Sequence, residues 1–183
     1  MDALELLRSD HDTVRELFRQ FEDAEQSGDT ARQQELCQTI AEELQLHTAI
    51  EEQVFYPAAR QAGPEIEALV REGIEEHHLV DQLMEELEAL DPSHEAFVPK
   101  VQVLIENVEH HAEEEEQELF PELREAFGDD RLAELGEELQ KAKQRGGRPE
   151  PTREELYDKA QEQDVSGRSK MDKDELAEAV DED

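Results

Sequence analysis

Along the chain, large apolar residues recur at intervals of three and four. Leu4, Leu7, Val14, Phe18 and Phe21 lie on one stripe, the period of an amphipathic helix. QSGDT around Gly28 interrupts the stripe. A second runs through Leu36, Ile40, Leu44, Ile50 and Val54 to Pro57 and the loop QAGPE. Pro64 opens a third, through Ile66, Leu69, Val70, Val80, Leu83, Met84 and Leu87, and DPS at 91 to 93 closes it. A fourth passes through Val98, Val101, Leu104, Val108 and Leu119 to Phe127, where GDD ends it, and a short fifth pattern spans Arg131 to Lys143. No strand alternation of any length occurs. Four long helices with short connections predict an all-α fold, an antiparallel up-and-down four-helix bundle over residues 1–145.

The glycine and proline of RGGRPEP mark a linker at 146–151. Beyond it, residues 152–183 read as a small helical appendage. Thr152 and Glu155 form a capping-box signature, Leu156 and Ala160 give a short apolar face, and a turn over 165–171 precedes a helix with Leu176 and Val180. Asp164, Ser166, Asp172 and Glu175 occupy four ligand positions of a calcium loop. Arg168 and Ser169 stand where that loop needs an acidic residue and a glycine, so calcium is not expected there.

Polar residues interrupt the apolar stripes in a repeated way. HTAIEEQVFYP at 47–57 and HAEEEEQELFP at 111–121 superpose His47 on His111 and Glu51 on Glu115 when their prolines are aligned. Residues four apart in a helix differ by about 6 Å in height and about 40° in angle, so each His and Glu pair shares one face. Each half also carries an earlier histidine. His11 has Val14, Leu17 and Phe18 at +3, +6 and +7, and His77 has Val80, Leu83 and Met84 at the same offsets. The alternative His78 would turn Asp81 and Glu85 inward. The same test selects His111 over His110, and His94 joins these two as a surface histidine.

Six buried polar side chains without partners would be costly. Metal binding resolves the cost: His11, His47, His77 and His111 converge with Glu51 and Glu115 as ligands for two metals. Nitrogen and carboxylate donors without thiolate suit non-haem iron, with manganese next. The remaining glutamates of the EEEE run at 113–116 read as a solvated face, with Glu118 as an outer ligand-supporting group or proton relay.

Composition narrows the function. Across 183 residues Asp and Glu outnumber Lys and Arg by 52 to 18, a net charge of -34 that repels phosphate backbones and anionic lipids. Nucleic acid and membrane are therefore not expected partners. The start MDALELLRSDHD has neither the basic nor the apolar region of a signal peptide, and a single cysteine, Cys37, fits a reducing compartment, so a cytoplasmic location is expected.

His11, HTAIE at 47–51, EEHH at 75–78 and HAEEE at 111–115 resemble a hemerythrin-like domain of the HHE cation-binding family, over about residues 1–127. The resemblance implies a four-helix bundle with an oxo- or hydroxo-bridged di-iron centre on the six residues above. It implies oxygen, peroxide or nitric oxide as the small-molecule partner, with an oxidative-stress role and catalase-like peroxide decomposition as the enzymatic alternative. In oxygen-carrying hemerythrins the third helix supplies two histidines four apart. Here His77 has Gly73 at -4 and Asp81 at +4, one imidazole fewer, which leaves room for peroxide or nitric oxide chemistry. The tail resembles the N-terminal module of the transcription terminator Rho. With 13 acidic against 5 basic residues from Glu150 onward, it is expected to contact protein rather than DNA.

Overall fold

A computed structural model of the chain describes residues 1–149, 151–163, 165 and 167–181. Asp164 and Ser166 of the calcium-loop reading lie outside them. The chain divides into two compact units, Met1–Arg148 and Pro149–Asp183.

The first unit is built from α1 (Ala3–Ser27), α2 (Thr30–Ile50), α3 (Tyr56–Ala59), α4 (Pro64–Glu88), α5 (Phe97–Glu114) and α6 (Phe120–Gln144). Among the described residues all regular structure is helical. Asp2 starts α1 with a capping box to Glu5, and Gly28 ends it in the left-handed conformation that only glycine adopts without strain. α1 packs mainly on α2, and α4 on α5.

Pro57 does not end its helix as its sequence position suggests, and both it and Pro121 lie within continuous helical runs. A π turn, Glu51–Phe55, joins α2 to α3, and another, Glu115–Leu119, joins α5 to α6. A proline within an α-helix presses its ring on the carbonyl four residues back. The wider turn ahead of Pro57 and Pro121 relieves that clash, with the amides of Tyr56 and Phe120 bonding to the carbonyls of Glu51 and Glu115. Both π turns thus begin at an inward glutamate, in keeping with the concentration of such turns at functional sites.

Gly128, at φ 70°, kinks α6, which then folds back so that Leu132, Leu135, Leu139 and Ala142 cover the bundle end. Gly136 is required there because a Cβ would stand 2.6 Å from the carbonyl oxygen of Met1.

Two apolar clusters fill the bundle. One gathers Leu4, Leu7, Ile50, Phe55, Tyr56, Val70, Phe120 and Leu123; the other gathers Val14, Phe18, Leu44, Val80, Met84, Leu104 and Val108. On α1, α2, α4 and α5 the inward histidine falls between members of the two, so a polar layer crosses the middle of the core. Cys37 is half-buried at the edge of the second cluster, and burial, helped by Glu88, pushes its thiol up to about 11.

In the second unit α7 (Arg153–Glu162) and α8 (Lys173–Asp181) enclose a core of Leu156, Ala160, Leu176 and Val180, with Thr152 and Glu155 forming the capping box.

Candidate metal centre

The polar layer holds His11, His47, Glu51, His77, His111 and Glu115, all at most 6% exposed. Their donor atoms form two interlocking groups, His11, His47, Glu51 and Glu115 on one side and His77, His111 and Glu51 on the other. His11 Nε2 and His47 Nε2 lie 3.1 Å apart, and His77 Nε2 and His111 Nε2 lie 3.2 Å apart. Two imidazole nitrogens bound at about 2.1 Å and at right angles to one metal would be about 3.0 Å apart. Each pair therefore has the spacing of adjacent positions on one ion.

The carboxylates span the two pairs. Glu51 Oε1 is 3.3 Å from His47 Nε2, while its Oε2 is 3.3 Å from His77 Nε2. Glu115 Oε2 lies 3.5 Å from His11 Nε2 and 4.0 Å from His111 Nε2. Both oxygens of Glu51 and Oε2 of Glu115 are buried without a hydrogen-bond donor. A buried carboxylate oxygen left without a hydrogen bond is costly. Cations between the histidines and these oxygens would supply the missing partners, so the donor set fits metal binding.

The outer faces of the imidazoles are held by further acids. His11 Nδ1 donates to Glu116 at 2.9 Å, His77 Nδ1 to Glu52 at 2.9 Å and His111 Nδ1 to Glu76 at 2.7 Å. Each bond fixes the ring so that Nε2 faces inward. Asp10 faces His47 Nδ1 at 3.8 Å and pairs with Lys143. The arrangement follows the internal repeat: Asp10 and Glu76 precede the first histidine of each half and serve the second, whereas Glu52 and Glu116 follow each inward glutamate and serve the first histidine of the other half. Sequence reading assigned Glu116 to a solvated face and Glu118 to the supporting role. In the structure Glu118 is exposed, and it is Glu116 that reaches His11 and also accepts from Arg15 at 2.9 Å. The repeat carried the signal, because each supporting acid is the sequence neighbour of an inward residue.

Tyr56 was also missed. It stacks on His77, donates to Glu115 Oε1 at 3.0 Å, and brings its oxygen within 3.4 Å of His77 Nε2. Phe120, its counterpart in the repeat, stacks on His11 without a hydroxyl. The layer is therefore asymmetric, with a phenol on the His77 side alone. His78 and His110 are surface residues, their side chains 62% and 64% exposed, and His94 is exposed too.

Charge in the metal-free layer is balanced by protons. Burial disfavours a charged His11, but Glu115 and Glu116 outweigh it and raise the imidazole from 6.5 to about 9. His77 and His111 are raised against the same burial, chiefly through Glu51 together with Glu52 and Glu76 respectively. Burial would push Glu51 up, yet the imidazoles of His47, His111 and His77 hold it well below the ordinary carboxylate range. Glu116 is drawn to about 2, first by His11. Burial and the charges of Glu115 and Glu51 push the Tyr56 phenol well above its ordinary value.

Residues 2–123 match the hemerythrin HHE cation binding domain, and the chain belongs to that family. Over 143 residues it is 29% identical to a protein of Nostoc sp. described as a DNA nickase; the match takes in 78% of this chain but 39% of that protein. The crystal structure of a hemerythrin HHE cation binding domain-containing protein from Mycobacterium kansasii superposes with a TM-score of 0.67 over 98% of this chain and 99% of the other, at 23% identity. That likeness speaks to the fold.

Proposed function

We propose that the polar layer binds two iron ions and that the protein reacts with or senses oxygen, peroxide or nitric oxide. The observation that carries this reading is the pair of converging Nε2 couples, 3.1 and 3.2 Å across, with the otherwise unpartnered oxygens of Glu51 set between them. His11 and His47 would hold one ion and His77 and His111 the other, with Glu51 and Glu115 as the carboxylates placed to reach both. Nitrogen and oxygen donors without thiolate favour iron, with manganese next. Iron supplies redox equivalents and open positions for a small ligand.

The chain's own part is to shape and protonate the space around those positions. Val14, Phe18, Leu44, Val80 and Val108 line an apolar hollow against the imidazoles, suited to a small uncharged molecule and unfavourable to bulk water. Glu52, Glu76 and Glu116 keep the rings in place. Tyr56 holds a proton directed at Glu115 Oε1 and adds an oxygen donor within reach of the His77 side.

Tyr56 favours a second reading, catalase-like decomposition of peroxide to water and oxygen, because a proton donor aimed into the layer serves turnover more than reversible carriage. Optical spectra of the reduced, iron-loaded protein test both. A band that appears with oxygen and vanishes on its removal supports a carrier or sensor. A persistent band with sustained oxygen release from added peroxide supports the enzyme, and no spectral response to oxygen, peroxide or nitric oxide contradicts both.

DNA is an unfavourable partner for a chain of net charge -34, so the activity named for the Nostoc protein is not carried over. A supercoiled plasmid left intact by the iron-loaded protein is the expected result. Among the described residues no helix is long and apolar enough to cross a membrane. The single cysteine, Cys37, favours a reducing, cytoplasmic compartment. The acidic second unit is assigned a protein contact.

A further inference from the structure

Outside the buried layer, His110 and Glu114 repeat the spacing of His111 and Glu115 one residue earlier, on the outward face of α5. Glu76 of α4 completes a triad whose ligand atoms lie within 4.8 Å of one another. His110 Nε2 is 3.6 Å from Glu114 and 3.9 Å from Glu76 Oε1, while Glu76 Oε2 is the oxygen that accepts from His111. One carboxylate thus faces the surface triad and the buried layer at once. Among the described residues no lysine or arginine pairs with Glu76 or Glu114.

A small cavity leads inward from this triad. It is lined by two of the triad, Glu76 and Glu114, with the exposed Glu72, by the buried Tyr56, His111 and Glu115, and by Leu69 and Leu119. Gly73 lies between, its bare backbone covered by the Tyr56 hydroxyl, which a Cβ there would meet at 2.8 Å. Glu115 is 4% exposed and its Oε2 has no partner, so the passage ends on an unsatisfied buried carboxylate.

The internal repeat supplies a control. In the first half His110 and Glu114 correspond to Leu46 and Ile50, Glu72 and Gly73 to Leu6 and Leu7, and Glu76 to Asp10. Leu6, Leu7 and Ile50 are buried in the apolar cluster, Leu46 packs against it, and Asp10 is paired with Lys143 of α6. That approach is sealed with apolar side chains and a cation, whereas its counterpart adds carboxylates and an imidazole to Leu69 and Leu119.

We propose that Glu76, His110 and Glu114 form an outer divalent-cation site that loads the buried centre along the cavity beside Gly73. The proposal rests on the two-metal reading above. Its chemistry is that of a transient site: imidazole and carboxylate donors, exposed enough to exchange water, with the deeper Glu115 as the next oxygen. A cleft of one charge also raises the local concentration of counter-ions.

Anaerobic titration and stopped-flow loading of the metal-free full chain with Co(II) test it. Wild type should bind two equivalents tightly and a third more weakly. His110→Ala with Glu114→Gln should lose the third equivalent and load the other two about tenfold or more slowly, the scale of an electrostatically focused approach, while still reaching two. His78→Ala, an exposed histidine paired with Glu75 on α4, should load as wild type. Wild-type kinetics in the double variant, an unchanged third equivalent, or equal slowing by His78→Ala would overturn the loading role alone. Failure of wild type to bind two equivalents would overturn the two-metal reading and the loading role with it.

Discussion

The hydroxyl of Tyr56 lies over the bare backbone of Gly73, so closely that a Cβ there would stand 2.8 Å from the phenol oxygen and 3.4 Å from Cε1 of His111. The place on α4 four residues before His77, where a second histidine is lacking, is thus taken by a phenol from the segment after the π turn Glu51–Phe55. Gly73→Ala adds a methyl group whose overpacking costs about 1–3 kcal/mol, against about 1 kcal/mol gained in helix propensity. The melting temperature should fall only slightly while Tyr56 is pushed off Glu115. Tyr56→Phe should keep the fold and both metals. On the peroxide-decomposing reading, turnover in both variants should drop relative to wild type, measured with an oxygen electrode; wild-type turnover in Tyr56→Phe would remove the phenol from the chemistry.

Glu51 and Glu115 each face both histidine pairs, so either one converted to alanine should end stable two-metal loading. Elemental analysis after gel filtration gives the count. Full loading of both variants would refute the bridging role, and a comparable loss in His78→Ala would mean that the wrong member of that histidine pair was assigned inward.

Proton linkage gives a pH signature to the metal-free chain. His11 is raised from 6.5 to about 9, so its stabilising contribution is complete below 6.5 and is lost as pH rises through about 9. Glu116 is lowered from 4.5 to about 2, and its contribution is present above 4.5 and lost as pH falls through about 2. Melting temperature without metal should therefore decline from pH 6.5 towards 9. Metals displace these protons, so the loaded protein should lack the decline, and loading near pH 7.5 should release protons measurable by calorimetry in buffers of different ionisation enthalpy. A flat profile for the metal-free chain would contradict the balance of charge described for the layer.

The supporting acids should matter without being ligands. Replacing Glu116 or Glu52 with alanine frees the outer nitrogen of His11 or His77 and should weaken metal affinity about 10- to 100-fold, read by competition with a chelator. Unaltered affinity in both would show that packing alone, such as Phe120 on His11, orients the rings.

The helices and the inward histidines were legible because burial imposes a period. His77 and His78 differ by 100° around a helix, and only one shares a face with Val80 and Met84. The supporting acids were not legible by the same route. Glu52, Glu76 and Glu116 sit at the boundary of buried and exposed faces, where apolar periodicity is silent and any of 52 acidic residues looks alike. Tyr56 was hidden for another reason. Pro57 reads as a helix end, whereas the π turn of Glu51–Phe55 carries the helix through it and rotates the phenol into the layer.

The two units carry separate cores, Leu156, Ala160, Leu176 and Val180 forming that of the second. A chain ending at Arg148 should therefore fold and load metal as the full chain does. Loss of loading on this truncation, with helicity retained by circular dichroism, would tie the second unit to the centre.

The most direct measurement is an anaerobic titration of ferrous iron into the metal-free full chain, with bound iron counted by elemental analysis and the spin coupling of the oxidised product read by Mössbauer spectroscopy. Two tightly held ions per chain that become magnetically coupled on oxidation are expected, the behaviour of two irons sharing Glu51 and Glu115. One ion per chain, or two that remain magnetically independent, would contradict the bridged centre.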